Sequence, residues 1–220
     1  MILKKLKNMQ FKFISIEGNI GSGKTSLSEK ITKYFNAKLI LEKFADNPFL
    51  PDFYKNPEQN AFPLELFFMA ERFQQLSNEF KYPDLFSFLT VSDYYFVKSK
   101  LFAQNNLKEN ELILFNRLFD IMLISIRKPD LLIYLHSDIE RIQQNIEKRG
   151  REFEQNISDK YLKDIELKYF DFLKKQNDFP VLILDATKVN FVKDESVFKN
   201  IISEINNMSN EKTFKKVILS

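Results

Sequence analysis

The sequence predicts a single α/β domain in which helices flank a parallel sheet of five strands. Five short apolar runs have the composition of strands that are buried on both faces. Helical patterns separate these runs, and such alternation is typical of a doubly wound parallel sheet. At 220 residues and 44% hydrophobic composition, the chain is large enough to bury one sizeable core.

The elements follow one another with few interruptions. The predicted strands, in chain order, are Phe11–Glu17, Lys38–Leu41, Phe88–Ser92, Asp130–Leu135 and Val181–Leu184. The predicted helices between them are Lys24–Phe35, Pro57–Phe80, Tyr95–Gln104, Glu109–Arg127, Asp138–Lys148 and Ser158–Lys175. Six of the seven prolines fall at or near these boundaries, where a missing N–H group is tolerated. We expect residues 1–10 to be an N-terminal extension with Met9 as an alternative start, residues 11–207 to form the domain, and residues 208–220 to form a polar tail with solvated lysines.

Composition narrows the classes of function. The net charge is only +3, from 33 basic and 30 acidic residues, which gives no support for binding to nucleic acid. No segment approaches the roughly 20 apolar residues of a membrane helix, and the first ten residues do not resemble a signal peptide. The absence of cysteine excludes disulfides and thiolate metal sites. We therefore expect a cytoplasmic protein that binds neither nucleic acid nor membrane.

The most informative motif directly follows the first predicted strand. It has the pattern G-x4-G-K-T of a phosphate-binding loop and comprises Gly18, Asn19, Ile20, Gly21, Ser22, Gly23, Lys24 and Thr25. The glycines let backbone N–H groups turn toward phosphates, and the helix that begins at Lys24 adds its positive end. Lys24 is placed to reach the β- and γ-phosphates, and the Thr25 hydroxyl to complete a Mg²⁺ shell. The motif predicts a nucleoside triphosphate site.

Two carboxylates follow predicted strands, at the sheet edge where ligands of α/β proteins bind. Glu42 is a candidate proton acceptor facing the γ-phosphate, and the alternative is a solvated charge at a strand end. Asp93 is a candidate Mg²⁺ ligand, and the alternative is the N-cap of the next helix.

A basic segment surrounds the remaining glycine, at Arg149-Gly150-Arg151. Two guanidinium groups on either side of a flexible residue suit a lid that closes over phosphates. The alternative is an ordinary helix C-terminus, where the helix dipole favours basic residues.

Several separate segments together resemble the bacterial deoxynucleoside kinases, relatives of the deoxycytidine and deoxyguanosine kinases. The resemblance covers about Phe13 to Val192, and its segments are Glu17–Thr25, 46–50, 52–54, 129–135, 148–154 and 190–192. It implies a P-loop kinase-like fold with an arginine-bearing lid, and ATP-dependent phosphorylation of the 5′-hydroxyl of a deoxynucleoside in nucleotide salvage. It also implies Mg²⁺ with ATP as the phosphate donor, and a homodimer joined through the helices that carry Glu65 and Glu109.

The same resemblance assigns roles to individual residues. Glu42 matches the general base, Tyr54 and Glu154 the pair that binds the sugar 3′-hydroxyl, and Arg149 and Arg151 the lid arginines. The other matches are Arg72 at the nucleobase end, Asp93 near the metal, and Asn190 and Phe191 in the loop beside the donor's adenine. Phe62, Phe67 and Phe68 are either walls of the base pocket or plain core residues.

One departure from the family concerns catalysis. The family usually has an acid-Arg-Ser triplet after the third strand, and this chain has Asp93-Tyr94-Tyr95. The missing arginine would touch the 5′-hydroxyl and the phosphates, so its absence predicts slow catalysis unless Lys98 or Lys100 replaces it. A nucleotide-binding sensor without turnover is one alternative function. A nucleoside-monophosphate kinase is another, and it would need an additional basic cluster.

A second departure concerns the nucleobase. Glu65 stands where the family usually has a glutamine, and Ser99 where an aspartate usually accompanies the arginine, so we expect Arg72 to be freer to contact the base. A carboxylate only accepts hydrogen bonds, and guanine offers N–H donors at N1 and N2 beside acceptors at O6 and N7. Glu65 and Arg72 therefore predict a preference for deoxyguanosine. The alternative is that Glu65 simply pairs with Arg72.

Overall fold

A parallel sheet of six strands lies at the centre of the computed structural model, which describes residues 10–43, 47–82, 87–209, 211 and 213–220. Its strands are β1 (Phe13–Glu17), β2 (Lys38–Ile40), β3 (Thr90–Ser92), β4 (Leu131–His136), β5 (Val181–Asp185) and β6 (Phe214–Ile218). The strand order is β2-β3-β1-β4-β5-β6, and every pairing is parallel. Three parts of the predictions above lie outside the described residues: the segment up to Met9, Asp46 at the start of the matching segment 46–50, and Lys212 in the expected tail.

The described residues form eight α-helices. They are α1 (Lys24–Phe35), α2 (Leu50–Lys55), α3 (Pro57–Lys81), α4 (Val97–Asn106), α5 (Glu109–Leu123), α6 (Ile139–Arg149), α7 (Asp159–Lys175) and α8 (Glu195–Asn206), with a 3₁₀ turn at Glu152–Glu154. Six of them correspond to predicted helices, whereas α2 and α8 were not among those predicted. No helix among them is long and apolar enough to cross a membrane.

The sheet has one strand more than the five predicted, and the polar tail expected at residues 208–220 instead contains that strand. β6 pairs with β5 from Val181 opposite Phe214 to Asp185 opposite Ile218. Its two lysines concealed the strand pattern, but both have acidic neighbours in the fold. Lys215 Nζ lies 2.5 Å from a carboxylate oxygen of Glu204, and Lys216 Nζ lies 3.9 Å from Asp185.

The central strands are buried on both faces, which explains their continuous apolar runs. In β1, Phe13 packs into the core on the side of α3, α4 and α5, whereas Ile14 and Ile16 pack into the core on the side of α1 and α8. Aromatic rings fill much of the first core, where Phe96 and Phe119 stack with ring centroids 4.8 Å apart. The two cores together hold the sheet rigidly between the helical layers.

Because all strands are parallel, their carboxyl ends meet at one edge of the sheet. β1 leads there into the phosphate loop, β2 into Glu42 and β3 into Asp93. β4 and β5 deliver Ser137 and Ala186 to the same edge. This arrangement brings sequence-distant polar residues together.

Candidate functional site

Two cavities open at this edge and meet at the phosphate loop. The inner cavity lies among α2, α3 and α4 and is lined on that side by Glu42, Tyr54, Glu65, Phe68, Arg72, Asp93, Lys98 and Glu154. The outer cavity lies between α6 and the loop after β5 and is lined there by Arg141, Lys148, Val189, Asn190, Phe191 and Lys193. Five residues line both cavities, namely Gly21, Lys24, Thr25, Arg149 and Arg151. The two cavities are therefore chambers of one site with the phosphate loop at their junction.

The phosphate loop has the curled backbone that its sequence predicts. At Gly21 the φ angle is +76°, and a Cβ atom there would lie 2.8 Å from Ile146 Cγ1. The Asn19 side chain anchors the loop, since its Nδ2 donates to Leu162 O at 2.8 Å and its Oδ1 accepts from Ile20 N at 2.9 Å. Gly18 and Asn19 thus shape the loop but do not line either cavity.

Lys24 lies across the loop in this structure. Its Nζ donates to Gly18 O at 3.0 Å and to Asn19 O at 2.7 Å. Burial, and next the charge of Lys98, lower the pKa of Lys24 to about 8, while three nearby carboxylates oppose that change. The ammonium group is therefore held at the junction of the cavities by bonds that a phosphate oxygen can replace.

Asp93 joins the phosphate loop to the end of β2. Its Oδ2 accepts from Thr25 Oγ1 at 2.7 Å, and its Oδ1 accepts from Glu42 N at 2.8 Å. Asp93 does not cap α4, whose N-cap is Phe96, so the capping alternative is wrong. Among the described residues no group of three or more His, Cys, Asp or Glu side chains surrounds a metal position. The hydroxyl and carboxylate oxygens fit Mg²⁺, which usually takes few protein ligands beside phosphates and water.

Glu42 is a doubly paired carboxylate whose side chain is only 14% exposed, and it is not the solvated charge considered as its alternative. Arg72 NH2 lies 2.6 Å from Glu42 Oε1, and Lys98 Nζ lies 2.5 Å from Glu42 Oε2. Burial alone would raise the pKa of Glu42, but the charges and hydrogen bonds of Lys98 and Arg72 hold it well below its ordinary value. The carboxylate is thus fixed in its ionised form.

Arg72 is held at both ends of its guanidinium group. Its Nε donates to Glu42 Oε1 at 2.8 Å, and its NH1 donates to Ser99 Oγ at 2.9 Å. The expectation that Ser99 leaves Arg72 freer is therefore wrong, because serine and Glu42 together bind it. Three of its five N–H groups are used in these contacts, and within the described part of the chain two remain for other acceptors.

Glu65 is buried without forming an ion pair with Arg72, so the simple pairing considered above is not present. Its Oε1 accepts from Asn106 Nδ2 at 2.7 Å. Its Oε2 is buried at the inner cavity and has no hydrogen-bond partner among the residues that the structure describes. Burial raises the pKa of Glu65 to about 7, and the nearby charge of Arg72 only partly offsets this. An unpartnered buried carboxylate oxygen is costly, and this oxygen is therefore available to a donor group of a ligand.

Position 94, where the family arginine is missing, does not face the site. Tyr94 is buried, its hydroxyl donates to Gln75 Oε1 at 2.7 Å, and it lines neither cavity. Of the two lysines considered as replacements, Lys100 pairs with Asp120 at 3.2 Å outside the cavity. Lys98 lines the inner cavity.

The predicted lid begins where α6 ends at Gly150, whose φ angle is +68°. Both lid arginines turn inward to Glu154, since Arg151 NH1 lies 3.1 Å from Glu154 Oε1 and Arg149 bonds to its Oε2. The alternative, in which the two arginines only complement the dipole at the C-terminus of α6, does not account for these contacts. Tyr54 packs nearby, nearly parallel to the Phe153 ring at a centroid distance of 6.1 Å.

The loop after β5 forms the far wall of the outer cavity. Asn190 and Phe191 both line it, as their predicted role requires. Phe191 lies against the phosphate loop, with its ring 3.3 Å from where a Cβ atom on Gly23 would be. Lys30 Nζ fixes the loop from α1 by donating to Phe191 O at 3.1 Å.

The sequence did not distinguish the aromatic residues that line the inner cavity from those that pack in the core. Phe68 lines the inner cavity, with its ring 4.9 Å from the Arg72 guanidinium carbon, whereas Phe62 and Phe67 do not line it. Further lining or supporting residues were missed, among them Phe53, Phe102, Asn106 and Tyr161. In a chain with 24 phenylalanines, spacing alone gives no signal that distinguishes a wall of the cavity from the core.

Comparisons with known proteins agree with this geometry. The model of the deoxynucleoside kinase family matches residues 14–210. A deoxyguanosine kinase of Bacillus subtilis (strain 168) is 31% identical over 197 residues, which are 88% of this chain and 95% of the relative. A deoxyadenosine/deoxycytidine kinase of the same strain is 30% identical over 196 residues, 87% of this chain and 90% of the relative.

The fold also has a solved counterpart. A deoxyadenosine kinase from M. mycoides with bound dATP superposes with a TM-score of 0.77 at 22% sequence identity, over 89% of this chain and 100% of that chain. The relatives are named for guanine, adenine and cytosine nucleosides alike. The names of the relatives therefore do not determine which base this chain prefers.

Proposed function

Since the chain belongs to the deoxynucleoside kinase family, we propose that it transfers the γ-phosphoryl group of ATP to the 5′-hydroxyl of a purine deoxynucleoside, with deoxyguanosine preferred. The observation that carries this proposal is the pair of cavities that share the phosphate loop and the lid arginines. A nucleoside in the inner cavity and ATP in the outer one would meet at Lys24. That is the arrangement an in-line transfer requires.

In the reaction, the 5′-oxygen forms a bond to the γ-phosphorus while the bond between that phosphorus and the β-bridging oxygen breaks, releasing ADP. Glu42 accepts the proton of the 5′-hydroxyl. A carboxylate with a lowered pKa is a weak base, but it suffices if the proton moves late, as a loose transition state allows. Lys24, Arg149 and Arg151 stabilise the charge on the transferring group. Thr25 and Asp93 would hold Mg²⁺, which supplies charge neutralisation at the phosphates.

The lid contacts suggest how the sugar is recognised. Tyr54 and Glu154 are assigned to the 3′-hydroxyl, and Glu154 is held by both lid arginines. When phosphates occupy the junction of the two cavities, they compete with Glu154 for Arg149 and Arg151. The Glu154 carboxylate then becomes available to the 3′-hydroxyl of the sugar. Donor binding would in this way complete the nucleoside site.

The preference for guanine follows from Glu65 and Arg72. The unpartnered Glu65 Oε2 can accept from guanine N1–H and N2–H, and the two remaining N–H groups of Arg72 can donate to O6 or N7. Adenine would place the lone pair of its N1 against the carboxylate, and a buried mismatch of this kind is strongly rejected.

A homodimer is supported by an apolar surface on α5. Ile113, Leu114 and Ile121 are between 48% and 68% exposed, and Ile124, just beyond the helix, is 87% exposed. Helical spacing puts the four side chains within an arc of about 100°. Such a one-sided apolar face on a helix is typical of an interface.

The test is ADP production by the purified protein with ATP and Mg²⁺, across deoxyguanosine, deoxyinosine, deoxyadenosine, deoxycytidine and deoxyguanosine monophosphate. We expect the highest kcat/KM with deoxyguanosine. Turnover led by deoxyadenosine or deoxycytidine would contradict the base preference while keeping the kinase. Turnover of the monophosphate alone would indicate a nucleoside-monophosphate kinase, and ATP binding without any turnover would indicate a sensor.

A further inference from the structure

Lys98 is a buried cation at the centre of the site, on the first turn of α4. The residue is only 7% exposed. Its charge acts on the pKa of Glu17, Lys24 and Glu42, which lie on three different elements around it. Burying an ammonium group is costly unless it is paired, and Glu42 supplies that pairing at 2.5 Å.

Both oxygens of Glu42 are occupied in this structure, so a 5′-hydroxyl must share or displace one of its partners. Arg72 is the less mobile partner, because its planar group also bonds to Ser99. Lys98 makes one hydrogen bond to the described residues, to Glu42 Oε2, from a flexible stem with three donors. Lys98 is therefore the partner that can turn away as the hydroxyl enters.

The other cations at the junction of the two cavities do not occupy the side of the inner cavity that β3 and α4 form. Lys24 approaches from the phosphate loop, and the lid arginines approach from α6. On the β3 and α4 side, Tyr94 points to Gln75 and Lys100 to Asp120. Of the described residues on that side, Lys98 is the cation that lines the inner cavity.

We propose that Lys98 is a catalytic residue that replaces the arginine missing at position 94: it yields Glu42 Oε2 to the 5′-hydroxyl and donates to the oxygens of the transferring phosphoryl group. This inference rests on the kinase reaction proposed above. The positive charge of Lys98 stabilises the transition state of phosphoryl transfer more than it stabilises the bound substrates. Loss of this charge should therefore lower kcat.

The first test compares Lys98→Met and Lys98→Arg with the matched control Lys100→Met, in steady-state assays with deoxyguanosine and ATP. We expect Lys98→Met to lower kcat by about 100-fold or more, with KM for either substrate changed by less than threefold. Lys98→Arg should recover at least tenfold of that loss, and Lys100→Met should match the unaltered protein.

A second test separates contact with the phosphoryl group from mere positioning of Glu42. It also avoids a variant in which the ionised Glu42 Oε2 has lost its partner. Lys98→Met is combined with Glu42→Gln and compared with Glu42→Gln alone. If Lys98 touches the phosphoryl group, the double variant is at least tenfold slower than the single one. Equal rates in the two, or a folded Lys98→Met with kcat within threefold of the unaltered protein, would overturn the proposal. Lack of turnover in the unaltered protein would instead refute the kinase reaction itself.

Discussion

Arg72 bonds to Glu42 through two of its nitrogens, with Nε 2.8 Å and NH2 2.6 Å from the same oxygen, Glu42 Oε1. In the proposed function the two residues serve opposite ends of the nucleoside, Arg72 the base and Glu42 the 5′-hydroxyl. A base that draws Arg72 out of place would therefore also disturb the proton acceptor. Selectivity in this cavity should accordingly be expressed in kcat as well as in KM.

The first prediction concerns the proton acceptor. We expect Glu42→Gln to lower kcat by about 1,000-fold, within the range of general-base contributions, with little change in ATP affinity. Steady-state kinetics and a separate measurement of ATP binding check this. Glu58→Gln is the matched control, because Glu58 is 82% exposed and pairs with Lys108 outside the inner cavity. A kcat for Glu42→Gln within tenfold of the unaltered protein would exclude Glu42 as the base.

The second prediction concerns base preference. Glu65→Gln should lower the ratio of kcat/KM for deoxyguanosine over deoxyadenosine by at least tenfold, since the amide offers both a donor and an acceptor. Only the ionised form of Glu65 accepts from both guanine N–H groups, and its pKa is about 7. With the unaltered protein, kcat/KM for deoxyguanosine should therefore rise between pH 6 and pH 8 more than that for deoxyadenosine. An unchanged substrate ranking in Glu65→Gln would refute the guanine assignment.

The third prediction concerns stability and the same carboxyl group. Its pKa is raised from 4.5 to about 7, so between these pH values the folded state keeps a proton that the unfolded state has lost. The contribution of Glu65 to the free energy of unfolding should therefore fall as the pH rises from 4.5 to 7, by about 3 kcal/mol in all. Urea unfolding of the unaltered protein and Glu65→Gln at pH 5 and pH 8 isolates this contribution. A difference between the two proteins that does not change with pH would contradict it.

Much of the fold was predictable because buried parallel strands and amphipathic helices have strong sequence patterns. The helix Lys24–Phe35 was predicted with its observed bounds. β6 was missed because Lys215 and Lys216 interrupt its apolar pattern and find acidic neighbours only in three dimensions. The short α2 is below the length at which periodicity is informative.

For the site, sequence position predicted which residues would gather at the sheet edge but not how they would pair. Arg72 was expected to face the base freely, whereas its partners Glu42 and Ser99 lie 30 and 27 residues away along the chain. Such pairings depend on tertiary distances, which local spacing does not encode. The same holds for the choice between Lys98 and Lys100, whose directions depend on the rotation of α4.

The fourth prediction concerns the apolar surface of α5. We expect Ile121→Glu combined with Ile124→Glu to convert a dimer into a monomer, because the charges would be buried without partners at the interface. Light scattering coupled to gel filtration measures the mass directly. Asp120→Glu serves as a control that preserves the charge beside this surface. A monomeric mass for the unaltered protein at all concentrations would reject the interface.

The sixth strand has a consequence for how the molecule behaves among other chains. Without β6, the exposed edge of the sheet on this side would be β5, which leads directly into the loop that walls the outer cavity. Open edges recruit foreign strands, and lysines on an edge discourage such pairing. By covering β5 with a segment that carries Lys215 and Lys216, the chain supplies its own neighbour and keeps intermolecular strand pairing away from that loop.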